Sequence, residues 1–262
     1  MSGKKQKHGK KRVMRGRGNL ASPDTLVAIY GIHATKAVLQ NEVRRVERVV
    51  ATKNAISKIE HLLGERGLTA EVANPQDISN LLGKDVVHQG IVAFCEPVPP
   101  ADIDDLADAS LIVLLDQVTD PHNVGAIIRS AVALSANGIV TTERNSTLES
   151  GLLAKTASGG LDLITHAKVT NLAQTIVKLQ DYGFYVIGLD SEGEEPIETT
   201  LHGDKIALVL GAEGSGLRRL TRERCDALAR LDMPGAIKSL NVSNAATLSL
   251  YLSAKHLGKL ER

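Results

Sequence analysis

The 262-residue sequence has no tryptophan, two phenylalanines and four tyrosines. So few aromatic rings argue against a nucleic-acid module that works by stacking bases, such as an RRM; any RNA binding should rest on phosphate contacts and shape. Cysteine is nearly missing as well. Cys95 and Cys225 lie far apart, which excludes a disulfide framework and a CxxC zinc site and fits a reducing compartment. The eight histidines are scattered singly, so no metal site is expected. No apolar run approaches the roughly 18 residues of a membrane span. The basic N-terminus is not followed by the apolar core of a secretory signal. The chain is expected to be cytoplasmic, without a membrane partner.

Positive charge is concentrated in one stretch. Residues 1–18 hold eight lysines or arginines and no acid, so a whole-chain charge of +1 leaves the rest of the chain at −7. A basic tail over 1–24 cannot bury apolar surface and is expected to be disordered by itself, either an arm for nucleic acid or a solubilising extension. The remaining composition, 43% apolar and 23% charged over the whole chain, is that of a globular protein with room for two cores.

Residues 25–98 alternate short apolar and helical segments and predict a small α/β unit. Pro97, Pro99 and Pro100 precede the acidic stretch "ADIDDLADA" and suggest a linker over 99–109. From 110 to 262, strand-like "LIVLLDQV", "GIVTTE", "FYVIGLD", "KIALVLGA" and "LARLDM" alternate with helical segments near 121–136, 148–158, 171–182, 217–228 and 242–260. This pattern predicts a mostly parallel sheet covered on both faces, with ligands beyond the carboxyl ends of its strands.

Three loops at such strand ends are unusual. In "LDQVTDPHNVGAIIRSA", Asp120 and Pro121 make an N-cap and N1 pair, and Val124, Ile127, Ile128, Ala131 and Leu134 form a core face. Asn123 sits in the first turn. Arg129 falls at the edge of the core face, expected near the strand end; the bland alternative is a snorkelling surface arginine. "LGAEGSGL" places Gly211, Gly214 and Gly216 around Glu213, letting backbone approach a ligand. It lacks GK[ST] and GxGxxG spacing, which counts against a triphosphate or dinucleotide site. In "LDMPGAIKSLNVSNAAT", Ser239, Asn241, Ser243 and Asn244 exceed what one helix cap requires. Such neutral groups suit an adenosine with an amino-acid tail better than a polyphosphate.

Together the loops resemble the three motifs of the SPOUT superfamily, in particular its SpoU-type RNA ribose 2′-O-methyltransferases. "DPHNVGAIIRSA" is similar to motif 1, "LVLGAEGSGL" to motif 2 and "MPGAIKSLNVSNAA" to motif 3. Upstream, "IYGIHATKAVL" and "HQGIVA" are similar to the accessory RNA-binding domain of bacterial members that methylate guanosine in large-subunit ribosomal RNA. Two positions depart from the pattern: Asn244 replaces a small aliphatic residue, and Leu231-Asp232 stand where Ile-Pro is common. The resemblance implies a SPOUT-like catalytic domain over 110–262 with a trefoil knot, an accessory RNA-binding domain over 25–98, S-adenosyl-L-methionine as cofactor, and a homodimer acting on RNA, with 23S rRNA favoured. Periodicity does not indicate a knot, and connection rules alone would exclude one.

By matching position, the resemblance implies Asn123, Arg129, Glu213, Ser239 and Asn241 as the catalytic set, with Gly211, Met233 and Leu240 contacting the cofactor. A guanidinium holds its proton far above pH 7, so Arg129 is assigned to the RNA phosphate and the developing oxyanion charge instead of to base catalysis. Glu213 is expected to position Arg129 or nearby backbone, and Ser239 with Asn241 to hold the ribose and the motif loops. The final helix, through Ala245, Leu248 and Leu252, is either the dimer face or ordinary core. Two rival readings stay open: a transfer-RNA ribose methyltransferase, whose usual representatives lack the accessory domain, and a non-catalytic RNA-binding assembly factor.

Overall fold

The structure is a computed structural model that describes residues 26–144 and 149–260. The basic tail lies outside the described residues. Two sheets organise the chain. The first is built from β1 (Val27–Tyr30), α1 (Ile32–Gln40), β2 (Val46–Ala51), α2 (Lys53–Ile56), α3 (Glu60–Glu65), β3 (Ala70–Val72), α4 (Pro75–Leu82) and β4 (Ile91–Cys95). Its order is β1-β4-β2-β3, with β4 antiparallel to both β1 and β2, and β3 parallel to β2. On one face α1 and α3 bury Val38, Leu39, Leu62 and Leu63 against Ile29, Val49 and Ile91. On the other, Ile78 of α4 packs on Val50 and Val92. Helix α4 starts where Asn74 and Asp77 cap each other's backbone reciprocally, with Pro75 in the first turn.

The second sheet comprises β5 (Leu111–Asp116), β6 (Gly138–Thr142), β7 (Thr165–Val169), β8 (Tyr185–Leu189), β9 (Glu195–Pro196), β10 (Ile206–Gly211) and β11 (Ala227–Arg230). Between them run α5 (Pro121–Ala133), α6 (Gly151–Thr156), α7 (Leu172–Asp181), α8 (Ile197–Thr200) and α9 (Arg219–Arg224), and α10 (Val242–His256) closes the chain. The order is β7-β6-β5-β10-β8-β11-β9, and every pairing is parallel. The α/β class with a mostly parallel C-terminal sheet is therefore as anticipated. All six residues of β5 are buried, as a central strand covered on both faces requires. Helices α5 and α10 lie on one face of the sheet and α7 on the other, giving two cores.

Three strands escaped the sequence reading. β7, "THAKV", buries only Ala167 completely, so it carries no apolar run; β3 has three residues and β9 two. The helix expected over 217–228 is only Arg219–Arg224. Asp226 exchanges hydrogen bonds with Val186, its N donating to Val186 O and its Oδ2 accepting from Val186 N, both at 2.8 Å. This sheet pairing draws the chain out of the helix and into β11. Residues 99–109 contain a 3₁₀ turn, Ile103–Leu106, whose two apolar ends are buried in the second core.

Candidate active site

Because the sheet is parallel, the carboxyl ends of β5, β8, β10 and β11 share one edge, and the three conspicuous loops leave from it. β5 ends on Asp116, fully buried. Its Oδ2 accepts from Arg218 N at 3.0 Å and its Oδ1 from Arg218 Nε at 2.6 Å. That carboxylate ties the far end of the glycine loop to the strand that feeds α5. The loop folds back on its own start: Ala212 bridges Gly216, and a Cβ on Gly211 would lie 2.2 Å from the Gly216 carbonyl carbon. Only glycine fits at 211.

The three loops meet at Glu213. Its Oε1 accepts from Asn241 Nδ2 at 2.6 Å, Asn123 Nδ2 at 3.1 Å and Val242 N at 3.3 Å. Asn241 Nδ2 also reaches Asn123 Oδ1 at 2.9 Å. Asn123 is presented by the first turn of α5, whose N-cap Asp120 accepts from His122 N at 3.0 Å. Asn241 is itself the N-cap of α10, its Oδ1 accepting from Ser243 N at 2.9 Å. A cap needs only that oxygen, and the amide nitrogen is left to join the other loops. Asn244 is exposed, so its departure from the aliphatic pattern disturbs no packing.

Gly211, Met233, Ser239 and Leu240 line one cavity of about 530 Å³ between these loops, together with Leu231 and Asp190. Lys238 Nζ donates to Met233 O at 2.8 Å and Arg222 pairs with Asp190 at 2.7 Å, bracing the cavity wall. The structure does not bring Arg129 to this cluster. It is exposed and, among the described residues, its side chain makes no hydrogen bond or ion pair. Of the two roles expected for Glu213, holding nearby backbone is the one the hydrogen bonds show: it accepts from Val242 N as well as from Asn123 and Asn241, and has no hydrogen bond or ion pair with Arg129. Asp116, Arg218, Asp190 and Arg222 were missed; the signal for Asp116 was a carboxylate closing a wholly apolar strand. Burial pushes the Cys95 thiol up to about 11 and the Cys225 thiol up to about 12, which disfavours the thiolate at neutral pH. Among the described residues no group of three His, Cys, Asp or Glu could hold a metal, and no helix is long and apolar enough to cross a membrane.

A glycine loop and two asparagine-bearing helix starts converging on one carboxylate, at the carboxyl edge of a parallel sheet, accompany a sequence match over the same region. Residues 110–251 match the SpoU rRNA Methylase family, and residues 28–101 match the family described as RNA 2′-O ribose methyltransferase substrate binding. The chain belongs to the SpoU rRNA methylase family. It is 37% identical over 233 residues to the 23S rRNA (guanosine-2′-O-)-methyltransferase RlmB of Photorhabdus laumondii, covering 85% of this chain and 95% of that one. The RlmB of Escherichia coli K12 is 36% identical, with 85% and 96% covered. Among solved structures, the fold is similar to the SpoU methyltransferase AviRb from Streptomyces viridochromogenes in complex with the cofactor AdoMet, with a TM-score of 0.75, 22% identity, and 91% and 92% of the two chains covered. An AdoMet-bound rRNA methyltransferase from Sinorhizobium meliloti gives 0.74 at 22% identity, with 89% and 88% covered.

Proposed function

We propose that this protein transfers the methyl group of S-adenosyl-L-methionine to the ribose 2′-hydroxyl of a guanosine in 23S rRNA. The observation that carries this reading is the Asn123–Glu213–Asn241 junction beside the cavity. The names of the relatives, over 85% of this chain, supply the substrate. The cavity fits the cofactor: about 530 Å³ is within the roughly 300–1,000 Å³ of small-molecule sites. Leu231, Met233 and Leu240 offer apolar cover for a base, and Gly211 leaves backbone where a Cβ would block approach. Bound, S-adenosyl-L-methionine supplies an electrophilic methyl on a sulfonium.

Gly211, Met233 and Leu240, which line the cavity, would hold the cofactor through their backbone groups. Ser239 and Asn241 would hold and orient the ribose beside the cavity. Placement of this kind is worth on the order of 7–11 kcal/mol at best. Glu213 fixes Asn123 and Asn241, and Arg129 grips the RNA phosphate and steadies charge growing on the oxygen. In this reading the motif 2 and motif 3 loops form a trefoil knot, and the protein works as a cytoplasmic homodimer. Leu248 and Tyr251, 46% and 49% exposed on α10, supply apolar surface for the two-fold, which sedimentation equilibrium checks. The test of function is radiolabelled methyl transfer to unmodified 23S rRNA and to tRNA. Incorporation into 23S rRNA, mapped to one guanosine 2′-O, is expected; incorporation into tRNA alone, or into neither, overturns the proposal.

A further inference from the structure

Among the described residues Arg44 is the largest side chain buried completely, and methyl transfer does not use it. It sits in the turn between α1 and β2 of the smaller sheet, yet its guanidinium reaches out of that unit. Nη2 pairs with Glu149, Nη1 lies 3.7 Å from Asp162 Oδ1, and Nε donates to Cys95 Sγ at 3.3 Å. Glu149 and Asp162 belong to the segment that joins β6 to β7 in the larger sheet. Each carboxylate has a second anchor: Glu149 Oε2 accepts from Val98 N at 2.8 Å, and Asp162 Oδ1 from Asn41 Nδ2 at 3.1 Å. The Arg44 turn is held from behind by Arg66, which donates to the carbonyls of Asn41 and Arg44.

An arginine and two carboxylates withdrawn from water cost more desolvation than an apolar contact of the same size, so stability alone does not account for them. What a charged fork adds is direction. Apolar surfaces can slide on one another, whereas a guanidinium between two anchored carboxylates has one seat. The seat is mechanically close to the chemistry. Glu149 directly precedes Ser150, the N-cap of α6. On one side α6 meets β1 so tightly that a Cβ on Gly151 would lie 2.3 Å from Ala28 O. On the other it meets α5, where a Cβ on Gly125 would lie 2.7 Å from Thr156 Cβ. Helix α6 is thus a spacer, two close contacts wide, between the small unit and the helix that carries Asn123 and Arg129.

We propose that Arg44, Glu149 and Asp162 form a clasp that holds the small unit at one fixed span from the reacting ribose, making Arg44 a positioning residue for the RNA. This rests on the RNA-methylating reading above. Contacts that the small unit makes to RNA help present the target nucleotide only when that span is set; a loosened unit acts as a second site on a floppy tether, at lower effective concentration.

The test uses the full chain with Arg44→Met/Glu149→Gln/Asp162→Asn, which removes all three charges so that none is stranded, and with Arg44→Lys, which keeps the charge and loses the fork. For the triple variant, amide exchange should speed up about tenfold or more over 41–46 and 149–162, as expected when a local closed state is released. KM for unmodified 23S rRNA should rise about fivefold or more, with kcat within about threefold and calorimetric affinity for S-adenosylmethionine within about twofold. Arg44→Lys should fall between, and it carries the test if the triple variant does not fold. Unchanged exchange and unchanged KM overturn the clasp, as does a joint fall of kcat and cofactor affinity, which would mark a structural role inside the larger unit. If the unmodified protein methylates no RNA, the functional reading falls, and the exchange comparison alone decides whether the charges clasp the two units.

Discussion

At Glu213 a single carboxylate oxygen accepts from the side chains of Asn123 and Asn241 and from Val242 N. Hydrogen bonds to a charged acceptor are worth about 1.5–3 kcal/mol each, and donors left without one carry a further penalty. Glu213→Gln still offers an oxygen to the same donors, whereas Glu213→Ala offers none. Turnover on 23S rRNA should therefore fall by about a hundredfold or more in the alanine variant and by about tenfold or less in the glutamine variant. Equal losses in single-turnover assays would show that the junction matters for its charge and not for its geometry. Arg129 contrasts with Glu213: it is exposed and, among the described residues, free of polar partners, available to an incoming phosphate. Arg129→Ala should abolish measurable turnover and leave cofactor affinity within about twofold; calorimetry showing a tenfold loss in a folded variant sinks the phosphate assignment.

Along the elements, β7 is a five-residue strand with only Ala167 fully buried, and its His166 is held by a hydrogen bond between Nε2 and Thr141 Oγ1 at 2.8 Å across the β6–β7 pair. Burial, with Lys168 adding to it, pushes the imidazole down to about 4. The folded state thus favours the neutral ring, while the unfolded chain takes up the proton near pH 6.5. The stabilisation is complete above the unfolded value and is lost as pH falls from about 6.5 to about 4, on the order of 3 kcal/mol in all. Urea midpoints of the unmodified protein should fall more steeply over that interval than those of His166→Gln. Parallel pH profiles would mean that the ring is hydrated in solution and that β7 is held by its ladder alone.

At the scale of the whole molecule, charge and structure are separated. Eight positive charges without an acid occupy residues 1–18, outside the described residues, and the rest of the chain carries −7. A net-negative body approaching a polyanion gains most from a basic arm that releases counterions, each phosphate contact changing log K by about 0.7–0.9 per tenfold change in salt. If half the charges engage together, deleting residues 1–18 should flatten the salt slope of RNA binding by about 3. Turnover at saturating RNA should stay within about threefold, because no tail residue is assigned to the cavity or the ribose. Parallel binding lines for the two chains would make the tail a bystander.

The strand-helix alternation, the glycine loop and the paired helix starts were legible in the sequence because each is written in local chemistry: apolar runs that need covering, glycines where a Cβ cannot fit, and capping residues in excess of one cap. From these the parallel sheet and the three loops could be read, and the family resemblance singled out Asn123, Glu213 and Asn241 within them. Which of these residues touch could not. Asn123 and Glu213 are 90 positions apart and Asn123 and Asn241 are 118 apart, and their meeting depends on β10 lying beside β5, which sequence spacing does not specify. For the same reason the neighbours of Arg129 were not legible: helical periodicity places a residue on a face, but only packing decides what that face meets, and among the described residues the Arg129 side chain is exposed without a polar partner. β7 and the turn into β11 were decided by edge pairing and by the Asp226–Val186 bonds. The Arg44 cluster was invisible in sequence altogether, because an arginine among charged neighbours reads as solvent-exposed until the second unit closes over it.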